Sequence, residues 1–247
     1  MSGHSKWHNI KLRKGKQDAE RGKVFTKLGR ELIVAAKGGS NPDVNVRLRF
    51  AIQKARESSM PADTIKRAVL KGAGELEGQS FEECTYEGYG PGGVGVIVEC
   101  LTDNKNRTFP ELRSIFTKNG GRIAETGSVS WSFTSSGVIS ILKDGLSEDA
   151  VMEAALDAGA DDVKIEDETY DVLTSPGDLM PVREALEKAG LKVDNAEVAM
   201  LPQTTVELKG HDAELTLRLI DLLEDNDDVQ AVWSNFDISD EEMALIS

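Results

Sequence analysis

The opening stretch GHSKWHNIKLRKGK holds five Lys or Arg and no acid in fourteen residues. Lys6, Lys11, Arg13, Lys14 and Lys16, flanked by His4, Trp7 and His8, make a positive arm of the kind that neutralises phosphates and releases their counterions. Trp7 suits two roles, stacking on a base or anchoring the arm on its own domain. Lys23, Lys27 and Arg30 recur along one side of the segment that follows. A second basic stretch, DNKNR at 103–107, brings Lys105 and Arg107 to the start of a helix that also carries Arg113 and Lys118. It reads either as a second phosphate contact or as a helix start capped by Asn106 or Thr108. These ten cations of the arm, the first helix and the 103–107 loop are the candidate nucleic-acid-binding residues.

Other chemistries find little material. The histidines are His4, His8 and His211, so the rest of the chain lacks an internal base for a Ser or Cys triad. His4 and His8 are four apart without companion ligands nearby in sequence, which argues against a metal site. YEGYGPGG (86–93) lacks the Lys-Ser/Thr ending of a phosphate loop and leads into a strand, so it reads as a turn. Cys84 and Cys100 form neither a CxxC site nor a disulfide framework. If 82–89 and 94–101 pair as a hairpin, these two lie nearly opposite, as buried thiols in a reducing compartment. With 43 acids in the chain, the proximity of two carboxylates means little. The expectation is a non-enzyme with no catalytic residue, no metal, no cofactor and no small-molecule substrate.

The charge is divided along the chain. Residues 1–74 hold 17 Lys or Arg against 6 Asp or Glu, and the remainder holds 12 against 37, within an overall net charge of −14. The sign changes across KGAGELEGQS (71–80), a Gly- and Glu-rich stretch that reads as a linker. Hydrophobic residues at 39% and charged residues at 29% fit a globular protein. The apolar run VGVIVECL (94–101) is too short to span a bilayer, and the polar, basic start has no secretory pattern. A cytoplasmic protein with no membrane partner is expected.

The elements that carry these residues follow from periodicity. Phe25, Leu28, Leu32, Ala35 and Ala36 share a helical sector of about 100°, with Lys23, Lys27, Arg30 and Lys37 centred almost opposite. Gly29 within this helix costs about 1 kcal/mol relative to Ala unless packing requires it. GGSNP ends the helix, and Asn41-Pro42 opens a second one with Val44, Leu48, Ala51, Ile52 and Ala55 inward and Arg47, Arg49, Lys54 and Arg56 elsewhere. A third helix opens at Pro61, with Ile65, Ala68 and Val69 inward. Beyond the linker, residues 82–89 and 94–101 read as a hairpin around GPGG, and SVSWSFT (128–134) as a strand with Val129, Trp131 and Phe133 on its buried side.

Residues 137–201 alone read strand, helix, strand, strand, helix, strand: βαββαβ. The second helix of this run spans about 177–189, with Val182, Leu186 and Ala189 inward. With that piece removed, the remainder reads the same way, through strand 94–101, helix 107–119, strands 128–134 and 204–209, helix 212–225 and strand 229–236, with 82–89 as an extra leading strand. The expected fold class is α+β: an N-terminal three-helix basic domain (1–74), a discontinuous ferredoxin-like domain (75–134 plus 202–247), and a second ferredoxin-like domain (135–201) inserted in it.

The stretches GHSKW, QDAERGKVFTKLGRELIVAAK, RLRFAIQKA, MPADTIKRA, YEGYGPGGV, TDNKNRT and GSVSWSF resemble the YebC family, over essentially the whole chain. The resemblance implies a cytoplasmic three-domain protein, a helical domain followed by two α+β domains. It also implies a probable DNA-binding transcriptional regulator, although mitochondrial relatives are translational activators and bacterial members are linked to ribosomes stalled in proline stretches. By the same resemblance, the basic residues of the arm and first helix carry nucleic-acid contact. Gly29 and Val46 depart from the family pattern, at positions that bear on the stability of the helical module.

Two functions therefore remain open. A DNA-binding transcriptional regulator needs base-edge readers in the major groove, yet Lys23, Lys27 and Arg30 suit phosphate, and no Asn or Gln shares their stripe. A ribosome-associated translation factor gives both charges a use, the basic module on ribosomal RNA and the acidic body on basic ribosomal proteins or in solvent. The reading common to both is a non-enzymatic nucleic-acid-binding regulator of gene expression.

Overall fold

The computed structural model of the chain describes residues 17–166 and 168–246, with side chains from residue 22 onward. The chain divides into two compact units: Ser130–Thr205, and the segments on either side of it, through Val129 and from Val206.

The larger unit begins with three helices, α1 (Gln17–Ala36), α2 (Val46–Glu57) and α3 (Ala62–Gly72). The apolar sector of α1 packs as its spacing requires: Leu28, Leu32, Ala35 and Ala36 are buried with Leu48, Ala51, Ala55, Ile65 and Ala68, and Phe25, Ile52 and Val69 close the edges. α1 and α3 approach so closely that a Cβ on Gly72 would stand 2.2 Å from the Ile33 carbonyl oxygen. The start of α2 differs from the sequence expectation. Residues 41–45 form turns, and the N-cap is Asn45, whose side chain accepts from the Leu48 amide at 3.0 Å and donates to the Ala35 and Gly39 carbonyls at 2.8 Å each. That clamp holds Asn45 itself extended, so the helix starts only at residue 46, and it leaves Val44, expected in the core, 80% exposed in the turn before it.

After an exposed stretch through Ser80, a sheet follows. β1 (Glu82–Tyr89) and β2 (Gly95–Thr102) form the hairpin read from the sequence, closed where the Gly90 amide donates to the Val94 carbonyl at 2.8 Å. α4 (Lys105–Lys118), β3 (Arg122–Ala124), α7 (Gly210–Glu224) and β9 (Val229–Ser234) complete this layer, with strand order β3-β1-β2-β9. α4 and α7 cover one face, burying Val96, Val98, Cys100, Leu112, Phe116, Leu217, Ile220 and Leu223 together. α8 (Asp240–Ile246) adds Met243 to the same core.

The class is α+β with one unit inserted in the other, but the strand membership of this sheet differs from the expectation. Segment 128–134 does not join it. The buried Glu87 carboxylate takes the Gly127 and Val129 amides at 2.7 and 2.6 Å, the bonds a neighbouring strand would have used. The chain then makes a short turn of helix at Ser130–Ser132 and leaves Trp131 73% exposed. Segment 204–209 contributes only β8 (Val206–Glu207), paired in parallel with β10 (Phe236–Asp237) outside the main sheet. The place beside β2 is taken by β1, because a tight turn closes that pairing at little loop entropy.

The second unit follows the βαββαβ reading. β4 (Phe133–Leu142), α5 (Glu148–Ala158), β5 (Asp162–Ile165), β6 (Thr169–Thr174), α6 (Leu179–Lys188) and β7 (Val193–Pro202) form an antiparallel sheet of order β5-β6-β4-β7. Ile139, Ile141, Val151, Ala155, Val172, Val182 and Leu186 are buried in it. Ala189, expected inward, lies past the end of α6 and is exposed.

Candidate nucleic-acid interface

Five of the candidate cations, Lys6, Lys11, Arg13, Lys14 and Lys16, lie outside the described residues, as do Trp7, His4 and His8. The other five all contact the chain's own acidic body. Lys23 donates to the Asp225 carboxylate at 3.0 Å and Lys27 to the Glu224 carbonyl at 2.7 Å. The Arg30 guanidinium reaches the Asp228 carboxylate at 2.7 Å, the Leu101 carbonyl at 3.1 Å and the Asp227 carbonyl, and lies 5.1 Å from the centre of the Phe81 ring. Lys37, on the same stripe, donates to the Phe81 carbonyl at 2.6 Å.

This stripe carried a signal that charge alone obscured. Val34 lies in the middle of it, and a valine among cations is out of place on a solvated helix face. It is buried against Phe81 and Leu101. The face opposite the bundle core is a docking face, apolar in the centre and cationic around it.

The 103–107 loop converges on the same point. Asn104, rather than Asn106 or Thr108, caps α4, its side chain accepting from the Arg107 amide at 3.2 Å. The Thr108 hydroxyl is used inside, donating to Asp228 at 2.7 Å. Arg107 pairs with Asp228 at 2.8 Å and with Asp103 at 3.0 Å, and Lys105 with Glu82 at 2.8 Å. Burial alone would raise the Asp228 carboxyl. Hydrogen bonds from Arg107, Thr108 and Arg30 outweigh it and hold the group below the ordinary aspartate range. The hydrogen bond to Asp228 raises Arg107 in turn.

The other cations of the bundle divide into engaged and unengaged ones. On α2, Arg47 pairs with Glu83 and Lys54 stands 3.9 Å from Glu31. Among the described residues Arg49 and Arg56, and on α3 Lys66 and Arg67, are exposed and carry no ion pair or side-chain hydrogen bond. Arg49 and Arg56 are seven residues apart and so fall on one side of α2, two turns along. The sequence places Arg49 and Arg56 off the apolar face of α2, but the candidate interface read from it is the arm, α1 and the 103–107 loop.

The remaining reactive groups sit apart. Cys84 and Cys100 are direct partners in the β1–β2 register and both are free thiols, Cys84 half-buried and Cys100 buried. Burial, then the neighbouring Cys84, pushes the Cys100 thiol far above its usual range. His211 is exposed, 3.7 Å from Glu214. Among the described residues no three His, Cys, Asp or Glu side chains gather as a metal site would need, and no helix is long and apolar enough to cross a membrane.

Comparison with known proteins follows the same division of the chain. A family model described as the TACO1/YebC protein N-terminal domain matches residues 5–75, and one described as the TACO1/YebC second and third domain matches residues 81–236. The chain belongs to the TACO1/YebC family. The gap between the two matches falls in the exposed stretch that joins the bundle to β1. A probable transcriptional regulatory protein of Pelotomaculum thermopropionicum is 56% identical over 97% of this chain and 100% of its own. One of Geobacter sulfurreducens is 58% identical over 98% of each. A crystal structure of a conserved hypothetical protein from Aquifex aeolicus superposes with a TM-score of 0.83 at 46% identity, covering 90% of this chain and 93% of that one. The family is thus one whose members are labelled as regulators.

Proposed function

We propose that this chain is a non-enzymatic, cytoplasmic regulator of gene expression that binds nucleic acid through its helical bundle, gripping the sugar-phosphate backbone rather than reading base edges. The observation that carries the reading is the set of exposed, uncompensated cations Arg49, Arg56, Lys66 and Arg67 on α2 and α3. Cations left without acidic partners in a protein of net charge −14 are the groups from which a polyanion would release counterions. The arm cations Lys6, Lys11, Arg13, Lys14 and Lys16 add to the same electrostatic footprint. The relatives' name, probable transcriptional regulatory protein, favours duplex DNA as the target.

A ribosome- or RNA-associated translation factor is the second reading. It is favoured by the lack of an available base reader on the α2 stripe, where the one amide, Gln53, donates to Glu57 at 3.2 Å.

Binding to duplex DNA and to ribosomal RNA, measured across a salt series beside co-sedimentation with ribosomes, tests both. Reversal of Arg49, Arg56, Lys66 and Arg67 to Glu is expected to lower affinity at least about ten-fold and to reduce the salt slope by about 3 to 4 on duplex DNA. Reversal of Lys11, Arg13, Lys14 and Lys16 is expected to abolish binding, with thermal stability nearly unchanged. Undiminished binding in both variants would sink the proposal. Ribosome association with only weak, sequence-blind DNA binding would select the translation reading.

A further inference from the structure

The acidic segment that follows α7 lies along α1 in an unusual manner. Lys23, Lys27 and Arg30, spaced i, i+4 and i+7, meet in turn the Asp225 carboxylate, the Glu224 carbonyl, and the Asp227 carbonyl with the Asp228 carboxylate. The stripe from residue 23 to residue 30 is about 10 Å long, a span over which a duplex strand, with one phosphate per about 3.4 Å of helix axis, presents more than one phosphate. One short run of backbone and carboxylate oxygens thus occupies a row of cations that a phosphate backbone could occupy.

The two ends of this contact differ. At the Arg30 end the side chains are 14% and 3% exposed, and Val34 packs beside them on Phe81 and Leu101. At the Lys23 end the partners are 46% and 60% exposed. A wet Lys–Asp pair contributes little and is readily exchanged. A phosphate that replaces Asp225 adds the release of its own counterions. The favourable exchange therefore starts at Lys23, whose partner Asp225 adjoins the Glu224 that holds Lys27, with Arg30 left in place.

We infer that residues 224–228 form an intramolecular stand-in for phosphate, covering Lys23 and Lys27 in the free protein and yielding them to nucleic acid. The inference rests on the nucleic-acid reading above and adds to it a built-in competitor that sets affinity. A bound strand displaces Asp225 from Lys23 while the Arg30–Asp228 pair holds the bundle on the body.

Zero-length carbodiimide coupling of the unmodified protein tests this directly. In the free protein the reagent is expected to join Lys23 to Asp225, read by peptide mass spectrometry. A saturating mixed-sequence DNA duplex or single-stranded RNA is expected to suppress that link, while the Lys209–Glu207 link (2.8 Å apart and remote from the stripe) serves as internal reference. Asp225→Asn is expected to tighten binding about two- to five-fold, and Glu214→Gln, the same change of charge on the outer side of α7, to leave it unchanged. Binding at full strength with the Lys23–Asp225 link undiminished overturns the inference and leaves the nucleic-acid reading standing. Failure of both probes to bind at all overturns both.

Discussion

Arg30 and Asp228 are 198 residues apart in the chain and 2.7 Å apart in the structure. Asp228 also accepts from Arg107, Thr108 and Thr102, so one buried carboxylate joins α1 to β2 and α4. The helical bundle is held to the body at this point. Four donors on one carboxylate satisfy an acid that burial would otherwise make costly.

Replacing that carboxylate should show its weight. Asp228→Asn is expected to cost about 2 kcal/mol at neutral pH, since it removes charge from hydrogen bonds to two guanidinium groups. Because the folded-state pKa is depressed, the stabilisation is complete above the unfolded-state value of about 3.9 and is lost as pH falls through the lower folded value. Thermal melts of wild type and variant should differ clearly at pH 7 and converge below about pH 4. A gap that persists unchanged into strong acid would mean that the charge is not what Asp228 contributes.

Two helix glycines should respond in opposite directions. A Cβ on Gly29 meets nothing within 4 Å, so packing does not require this glycine, and Gly29→Ala should stabilise by about 0.5–1 kcal/mol. Gly72→Ala would drive a Cβ into the Ile33 carbonyl and the Ala36 methyl at 2.7 Å, and should destabilise by about 1–3 kcal/mol. Urea unfolding followed by circular dichroism measures both, and the same sign for the two would contradict the geometry.

The Asn45 clamp is a third test. Its side chain caps α2 and ties the end of α1, so Asn45→Ala should cost about 1–2 kcal/mol, while the exposed neighbour Val44→Ala should cost almost nothing. Equal losses from the two would return Val44 to the core.

Thiol chemistry supplies a fourth. Cys100 is buried and pushed up well beyond its ordinary range, so the thiolate needed for alkylation is scarce. Iodoacetamide at pH 8 is expected to modify the half-buried Cys84 first and to spare Cys100 until urea opens the β1–β2 hairpin. Labelling of both at one rate in the folded protein would show that the hairpin opens freely.

Local patterns made much of this architecture legible. The apolar sector of α1, the GPGG hairpin with Cys84 opposite Cys100, and the βαββαβ order of 137–201 depend on spacing between near neighbours in sequence. The errors arose where a side chain distant in sequence claimed a backbone group. Glu87 drew the Gly127 and Val129 amides out of an expected strand, and Asn45 moved the start of α2 by bonding back to Ala35 and Gly39.

The candidate interface shows the same boundary. Charge counted along the chain is a property of the sequence, and it alone established a basic N-terminal module joined to an acidic body. Which cations remain exposed is a property of the fold. Tertiary packing brought residues 224–228 onto α1, placed Arg30 and Arg107 on one carboxylate, and left Arg49, Arg56, Lys66 and Arg67 facing solvent. Electrostatic pairing depends on distance in space, and residues 30 and 228 became neighbours only when the body had folded between them.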